Sequence, residues 1–221
     1  LELPVKRLGA PAAAAALIIG LAGCSGTPQA AGVGTAGSAS PAAPAPAPTF
    51  KGEPAGKFAL KTKSGAAVTF NLPTPATDPN VAPIEAYRVK TGAAPVTYLI
   101  ADVDNRNGTQ PVNMYRVMAF DKQGHEYDFS LVWNLVNSWE PVFGEDYKWK
   151  TRSGAVLDDA TGQALSNEGN DLQNTNLNGA DIGARKTLVL ASKSTDLPSE
   201  FTRVAVMPSG AFGEEEATPA P

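Results

Sequence analysis

Two residue types are nearly missing from this chain: it has one cysteine and one histidine in 221 residues. A single cysteine excludes an internal disulfide, so a folded domain must be held by core packing alone. Zinc sites draw several ligands per ion, mainly from cysteine and histidine, and one of each cannot supply them. Nucleophilic catalysis by Ser or Cys needs a nearby base. The one histidine, His125, falls in an expected turn, and no Gly-x-Ser-x-Gly elbow is present. The formal charge is −4, which argues against nucleic acid as a partner, because its binders carry basic patches. The apolar run Ala10–Ala22 falls short of the ~20 residues of a spanning helix.

What that run does fit is an export leader. Lys6 and Arg7 precede it and Leu21-Ala22-Gly23-Cys24 closes it. A basic start, an apolar stretch of about 7–15 residues and small residues at a cleavage point make a secretory signal. The four closing residues resemble the lipobox of bacterial lipoproteins. The resemblance implies cleavage between Gly23 and Cys24, with Leu21, Ala22 and Gly23 as recognition residues, and a diacylglycerol thioether on Cys24. A cysteine suits that role because its thiolate is the nucleophile that takes the lipid. Two acyl chains hold a protein on a bilayer where a single chain binds only marginally. The expected address is the cell membrane, lipid-anchored on its extracytoplasmic face. No cofactor and no metal are expected apart from the covalent lipid, and the membrane is reached through that anchor.

Composition divides the rest. Residues 1–23 read as the signal peptide and 24–49 as the lipidated cysteine with a disordered linker. Ser25–Thr49 holds only small, polar and proline-type residues without one charge, too little apolar content to offset ordering entropy. Its Pro41–Pro48 portion favours polyproline II, and the linker drawn out at ~3.1 Å per residue reaches on the order of 75 Å. Without residues 1–23 the balance is 16 basic to 21 acidic residues. Residues 50–212 fit one domain by length, and 213–221 read as a disordered acidic tail.

Within the domain the pattern is mostly strand. In Ala67–Leu72, Val68, Phe70 and Leu72 share a face. Ile84–Val89 reads as short and extended. Val96–Val103 carries Leu99, Ala101 and Val103 on one face, with Tyr98 and Ile100 on the other. It ends at Asn107-Gly108, a strong turn signal. Val112–Phe120 follows, with Met114, Met118 and Phe120 in phase, then the turn Asp121–Gly124 and a strand over Glu126–Leu135. Thr187–Ala191 and Phe201–Val206 are two later strands. Short strands broken by Gly, Asn, Asp and Pro predict an antiparallel sandwich. Residues 151–183 interrupt this rhythm. A weak stripe of Val156, Ala160, Ala164 and Leu165, broken by Gly162 and Gly169, predicts an insertion with one or two short helical turns. We find no internal repeat.

The spans Tyr98–Gly108, Phe120–Tyr127 and Gly183–Leu190 resemble a family of bacterial lipoproteins. Its pattern is a strand ending at an Asn-rich turn, a strand ending in Asp-x-x-Gly with an aromatic soon after, and a late Gly-basic strand. The resemblance covers about Ile84–Met207. It implies a mainly β, immunoglobulin-like (telokin-like) antiparallel sandwich behind a lipobox and stalk, and an extracytoplasmic, non-enzymatic module. The chain departs from the pattern in its long insertion and in lacking a Pro before Gly183.

The remaining chemistry is sparse. Asp102, Asp104, Asn105 and Asn107 offer oxygens, but a calcium loop of EF-hand type needs a ligand where Arg106 stands and glycine where Asn107 stands. Glu140, Glu145 and Asp146 lie near tryptophans, which keeps an envelope hydrolase with paired carboxylates as an outside alternative; no catalytic residue is assigned and no enzyme is expected. The best binding signal is aromatic: Trp133, Trp139, Phe143, Tyr147 and Trp149 fall within seventeen residues. Trp133 suits a core plug. Trp139, Tyr147 and Trp149 are the candidate binding residues, since exposed aromatics mark interaction surfaces. The expected role is contact with an envelope protein or wall polymer, the alternative being a structural spacer without a discrete ligand.

Overall fold

A computed structural model of the chain describes residues 52–209 and 213–221. The lipobox around Cys24 and the linker lie outside the described residues. Along the chain the strands are β1 (Glu53–Pro54), β2 (Gly56–Lys61) and β3 (Ala67–Thr74), then helix α1 (Ala82–Lys90). Next come β4 (Thr97–Asp104), β5 (Met114–Phe120) and β6 (Glu126–Leu131), then α2 (Val132–Trp139). Three short strands follow, β7 (Val142–Phe143), β8 (Trp149–Lys150) and β9 (Val156–Leu157), and then α3 (Asp159–Asn176). The chain ends with β10 (Arg185–Ser192), β11 (Glu200–Phe201), β12 (Arg203–Pro208) and β13 (Glu215–Pro219). The protein is therefore mainly β with antiparallel pairing, as the strand pattern predicts.

Eight strands hydrogen-bond in the closed order β10-β4-β3-β2-β13-β12-β5-β6. Period-2 alternation drives it: Val68, Phe70 and Leu72 of β3 point inward with Leu99, Ala101 and Val103 of β4. Phe58 of β2 lies opposite Phe70, and their rings stack at 5.7 Å. Two joints are thin. The β6–β10 ladder has two residue pairs, and so does β2–β13.

A second core explains why β4 is apolar on both faces. Tyr98 and Ile100 of β4, with Val189 and Ala191 of β10, point outward and are covered by α1, α2 and α3. The inner face fills one core and the outer face seats a helical layer, so neither could be polar.

The helical layer corrects several sequence expectations. Ile84–Val89 is helix, not extended chain. Pro83 sits in the first turn, Ile84 and Tyr87 face the core, and Glu85 pairs with Arg88 one turn on at 2.7 Å. The strand expected over Glu126–Leu135 stops at Leu131, because Val132, Leu135, Val136 and Trp139 fall at helical spacing and all four are buried. The insertion is one 18-residue helix rather than isolated turns. Asp158 caps it, accepting from the Thr161 N–H at 2.9 Å. Its buried stripe runs through Gly162, Leu165 and Gly169, with Leu172 packed alongside, while Ala160 and Ala164 are exposed.

Two further readings change. In β5, Val117 and Ala119 face the inner core, not Met118. The acidic tail is not disordered: Glu215–Pro219 is the eighth strand of the ring. Ala217 is buried in the core, and the Glu215 carboxylate accepts from the Lys63 N–H at 3.0 Å.

Candidate interaction surface

The aromatic segment folds into a small meander, β7-β8-β9, beside the helical layer. Phe143, Trp149 and Leu157 are register partners, as are Val142, Lys150 and Val156. Trp149 backs onto α3 so closely that a β-carbon at Gly162 would overlap the indole ring. Phe143 packs its ring at 5.3 Å from Trp149 and 6.4 Å from Tyr147, edge-on to both. Outward of this stack the side chains are open. Phe143 is 49% exposed and Tyr147 82% exposed, with Val142 and Val156 also exposed.

The β7–β8 turn has a defined geometry. Gly144 N–H donates to Lys148 O at 2.9 Å and Tyr147 N–H to Gly144 O at 3.0 Å. This turn occurs four times among the described residues. Thr62–Ala66, Asp121–His125 and Thr151–Ala155 each make the same two hydrogen bonds, first to fifth residue and fourth to first. The fourth residue must be left-handed. Gly65, Gly124 and Gly154 meet that with φ of 97°, 82° and 89°. In the β7–β8 turn the residue is Tyr147, with φ 57°. The other turns also use the first side chain as an acceptor: Thr62 and Thr151 through Oγ1, Asp121 through Oδ1. Gly144 has no side chain to do so.

The sequence carries a sign of this that the strand pattern hides. Thr62-Lys-Ser-Gly-Ala66 and Thr151-Arg-Ser-Gly-Ala155 are near-copies. They define the turn whose glycine position Tyr147 takes.

The other candidates are placed as follows. Trp139 is 6% exposed, on the buried face of α2, which removes it from the exposed set; its helical spacing with Val132, Leu135 and Val136 governs it. Trp149 is half-buried between Phe143 and Gly162. Trp133 packs against the inner core as a plug, and its indole N–H has no partner among the described residues.

The candidate carboxylates lie in different settings. Glu140, at the end of α2, accepts a hydrogen bond from Gln173 of α3. Burial pushes its pKa up, opposed by Arg152 and by Gln173. Asp146 pairs with Lys150 at 2.7 Å, and that hydrogen bond holds its pKa down. Glu145 is exposed on the turn. Asp104 is clamped by Arg106 at 2.8 Å and Arg185 at 2.7 Å, which depress its pKa strongly. Asn105 is buried and donates to Gln110 O and Ala180 O, a structural tie. His125 Nδ1 lies 2.9 Å from Asp121 Oδ2, with the ring mostly exposed. Among the described residues, no cluster of three or more His, Cys, Asp or Glu is placed to hold a metal.

Comparison with family models, curated proteins and solved structures gives no match for this chain. Its role is read from its own geometry.

Proposed function

We propose that this chain is a lipid-anchored surface lipoprotein whose domain binds a protein of the cell envelope through Phe143, Tyr147 and Trp149. The anchor is Cys24, and the lipobox Leu21-Ala22-Gly23-Cys24 supports it. The domain reads as an immunoglobulin-like sandwich closed at its edges. In support, ladders of six to eight residue pairs join β2, β3, β4 and β10, ladders of five and six pairs join β5, β6 and β12, with β13 held on β12 by three pairs, and the two runs meet through two pairs at each side.

The observation that carries the binding reading is Tyr147. Left-handed backbone is unfavourable for a residue with a β-carbon by roughly 1–2 kcal/mol, and three sister turns avoid it with glycine. The Tyr147 ring recovers little within the domain, being 82% exposed with one edge contact to Phe143. Strained non-glycine residues cluster at functional sites, and Tyr is enriched among residues that dominate protein interfaces. The ring is best explained by a contact outside the domain.

The test compares wild type with Tyr147→Gly in capture from envelope extract, identified by mass spectrometry. Tyr147→Gly keeps the fold and loses a specific envelope protein. Capture unchanged in this variant removes the surface from the account, and absence of any specific partner favours a structural spacer.

A further inference from the structure

A second site lies at the rim of the ring, away from the meander in sequence. Met114 and Val117 of β5 both face the inner core although they are three residues apart, which strict alternation forbids. The register explains it. Arg116 pairs with Met207 and Met114 with Pro208, so one step on β12 spans two on β5. Tyr115 is the extra residue of a β-bulge. Without the bulge it would share the interior face with Val117 and Ala119. With it, Tyr115 is turned out and is 55% exposed. Bulges at barrel rims characteristically re-aim a side chain.

Tyr115 opens onto a groove of about 420 Å³, lined also by Pro111, Asn113, Leu177, Asn178 and Asp181. That volume falls within the roughly 300–1,000 Å³ of small-molecule sites. The groove is braced. Val112 and Ala180 exchange both backbone hydrogen bonds, at 2.9 and 2.7 Å. Asn113 N–H donates to Ser209 Oγ at 2.6 Å, and Ser209 N–H to Asn113 O at 2.8 Å. Asn113 Nδ2 reaches Leu177 O at 3.3 Å. Two polar side chains take no part in the bracing. Asn178 and Asp181 are both exposed, and among the described residues their side chains are free of hydrogen bonds and ion pairs, so they are open to a ligand.

We propose that this groove binds one ring of a neutral saccharide. A pyranose has an apolar C–H face and a rim of hydroxyls that both donate and accept. Tyr115, with Pro111 and Leu177, supplies an apolar wall for the face. Asp181 accepts from hydroxyls, and Asn178 both donates and accepts. The braced backbone keeps the wall and the polar groups in fixed relation, which lowers the ordering cost of binding. This site does not depend on Tyr147.

The experiment is saturation-transfer NMR on the full chain with maltopentaose, cellopentaose and chitopentaose, followed by calorimetric titration of any that respond. At least one sugar receives saturation on its ring C–H protons. Tyr115→Phe, which keeps the ring, stays within about twofold of wild type, whereas Tyr115→Ala and Asp181→Asn each weaken binding by about tenfold, or 1.4 kcal/mol. Tyr147→Gly leaves sugar binding unchanged. No transfer to any of the three sugars overturns the proposal. So does equal binding by Tyr115→Ala, or binding that is lost with Tyr147 instead.

Discussion

Tyr147 occupies in the β7–β8 turn the place that Gly154 occupies in the turn that follows. Both residues donate their N–H to the carbonyl three residues back, at 3.0 and 2.9 Å, and both have positive φ. The two turns differ in what that backbone demands of the side chain, and the difference can be measured by exchanging residues.

Tyr147→Gly is expected to be more stable than Tyr147→Ala by about 1 kcal/mol, because both lose the ring and only glycine relieves the left-handed strain. Gly154→Ala is expected to lose a similar amount. A β-carbon there meets nothing within 4 Å, so backbone strain alone acts. Urea denaturation of the three variants checks this. Equal stability of Tyr147→Gly and Tyr147→Ala would show the turn to be unstrained.

Gly162 holds α3 against Trp149 of the meander, and Gly169 holds it against the rest of the helical layer. A β-carbon at Gly169 would collide with the Tyr87 hydroxyl and lie 2.8 Å from Glu140 Cγ. Alanine is the better helix former by about 1 kcal/mol, so an unpacked helix would be strengthened by Gly162→Ala or Gly169→Ala. Here both are expected to destabilise, by roughly 1–3 kcal/mol of overpacking. Thermal melts decide the sign. A raised melting temperature for either variant would mean that α3 does not pack as described.

These glycines show where sequence reading succeeds and where it stops. The inward set Val68, Phe70 and Leu72 and the two apolar faces of Val96–Val103 are legible because strand alternation is local. The helices are harder. Ile84–Val89 is short and contains β-branched residues at its ends, and the spacing of Val132, Leu135, Val136 and Trp139 is hidden by the strand that runs into it. Gly162 and Gly169 count against a helix by propensity, yet they are where α3 meets Trp149, Tyr87 and Glu140. That meeting is a tertiary fact. The tail strand is invisible for a similar reason: three consecutive glutamates precede Ala217, and only pairing with neighbouring strands buries Glu215 and Ala217 on one side. The Tyr147 ring stands out in the sequence, but its backbone strain emerges only when its turn is aligned with Thr62–Ala66 and Thr151–Ala155.

Deleting residues 214–221 is expected to destabilise the domain severely, since it removes β13 from between β2 and β12 and uncovers Ala217's neighbours in the inner core. Loss of the cooperative thermal transition and increased dye binding to exposed apolar surface are the readouts. A deletion that melts like the full chain would return 213–221 to the status of a loose tail.

Acid stability should report Asp121. Burial alone would raise its pKa, but the His125 backbone and ring, the Gln123 N–H and the Tyr127 hydroxyl bring it down to about 2. A carboxyl depressed in the folded state stabilises above its unfolded pKa, ordinarily near ~3.9, and that contribution is lost as pH falls from there toward about 2. Asp121→Asn is therefore expected to be less stable at about pH 7 and to lose less further stability between about pH 4 and 2. Equal slopes for both proteins over that window would contradict the assignment.

The anchor has its own check. Mass spectrometry of the membrane-extracted protein is expected to find a mature chain beginning at diacylated Cys24, and Cys24→Ser is expected to accumulate uncleaved. A Cys24→Ser form that matures and stays on the membrane as wild type does would remove the lipid from the account.

The most direct test of the central claim replaces Tyr147 with the photo-crosslinker p-benzoylphenylalanine in cells, with the same photo-crosslinker at exposed Thr161 as control. One discrete envelope-protein adduct is expected from position 147 and none of that mass from position 161. No adduct at 147, or the same adducts from both positions, would contradict the claim that this ring is held out for a partner.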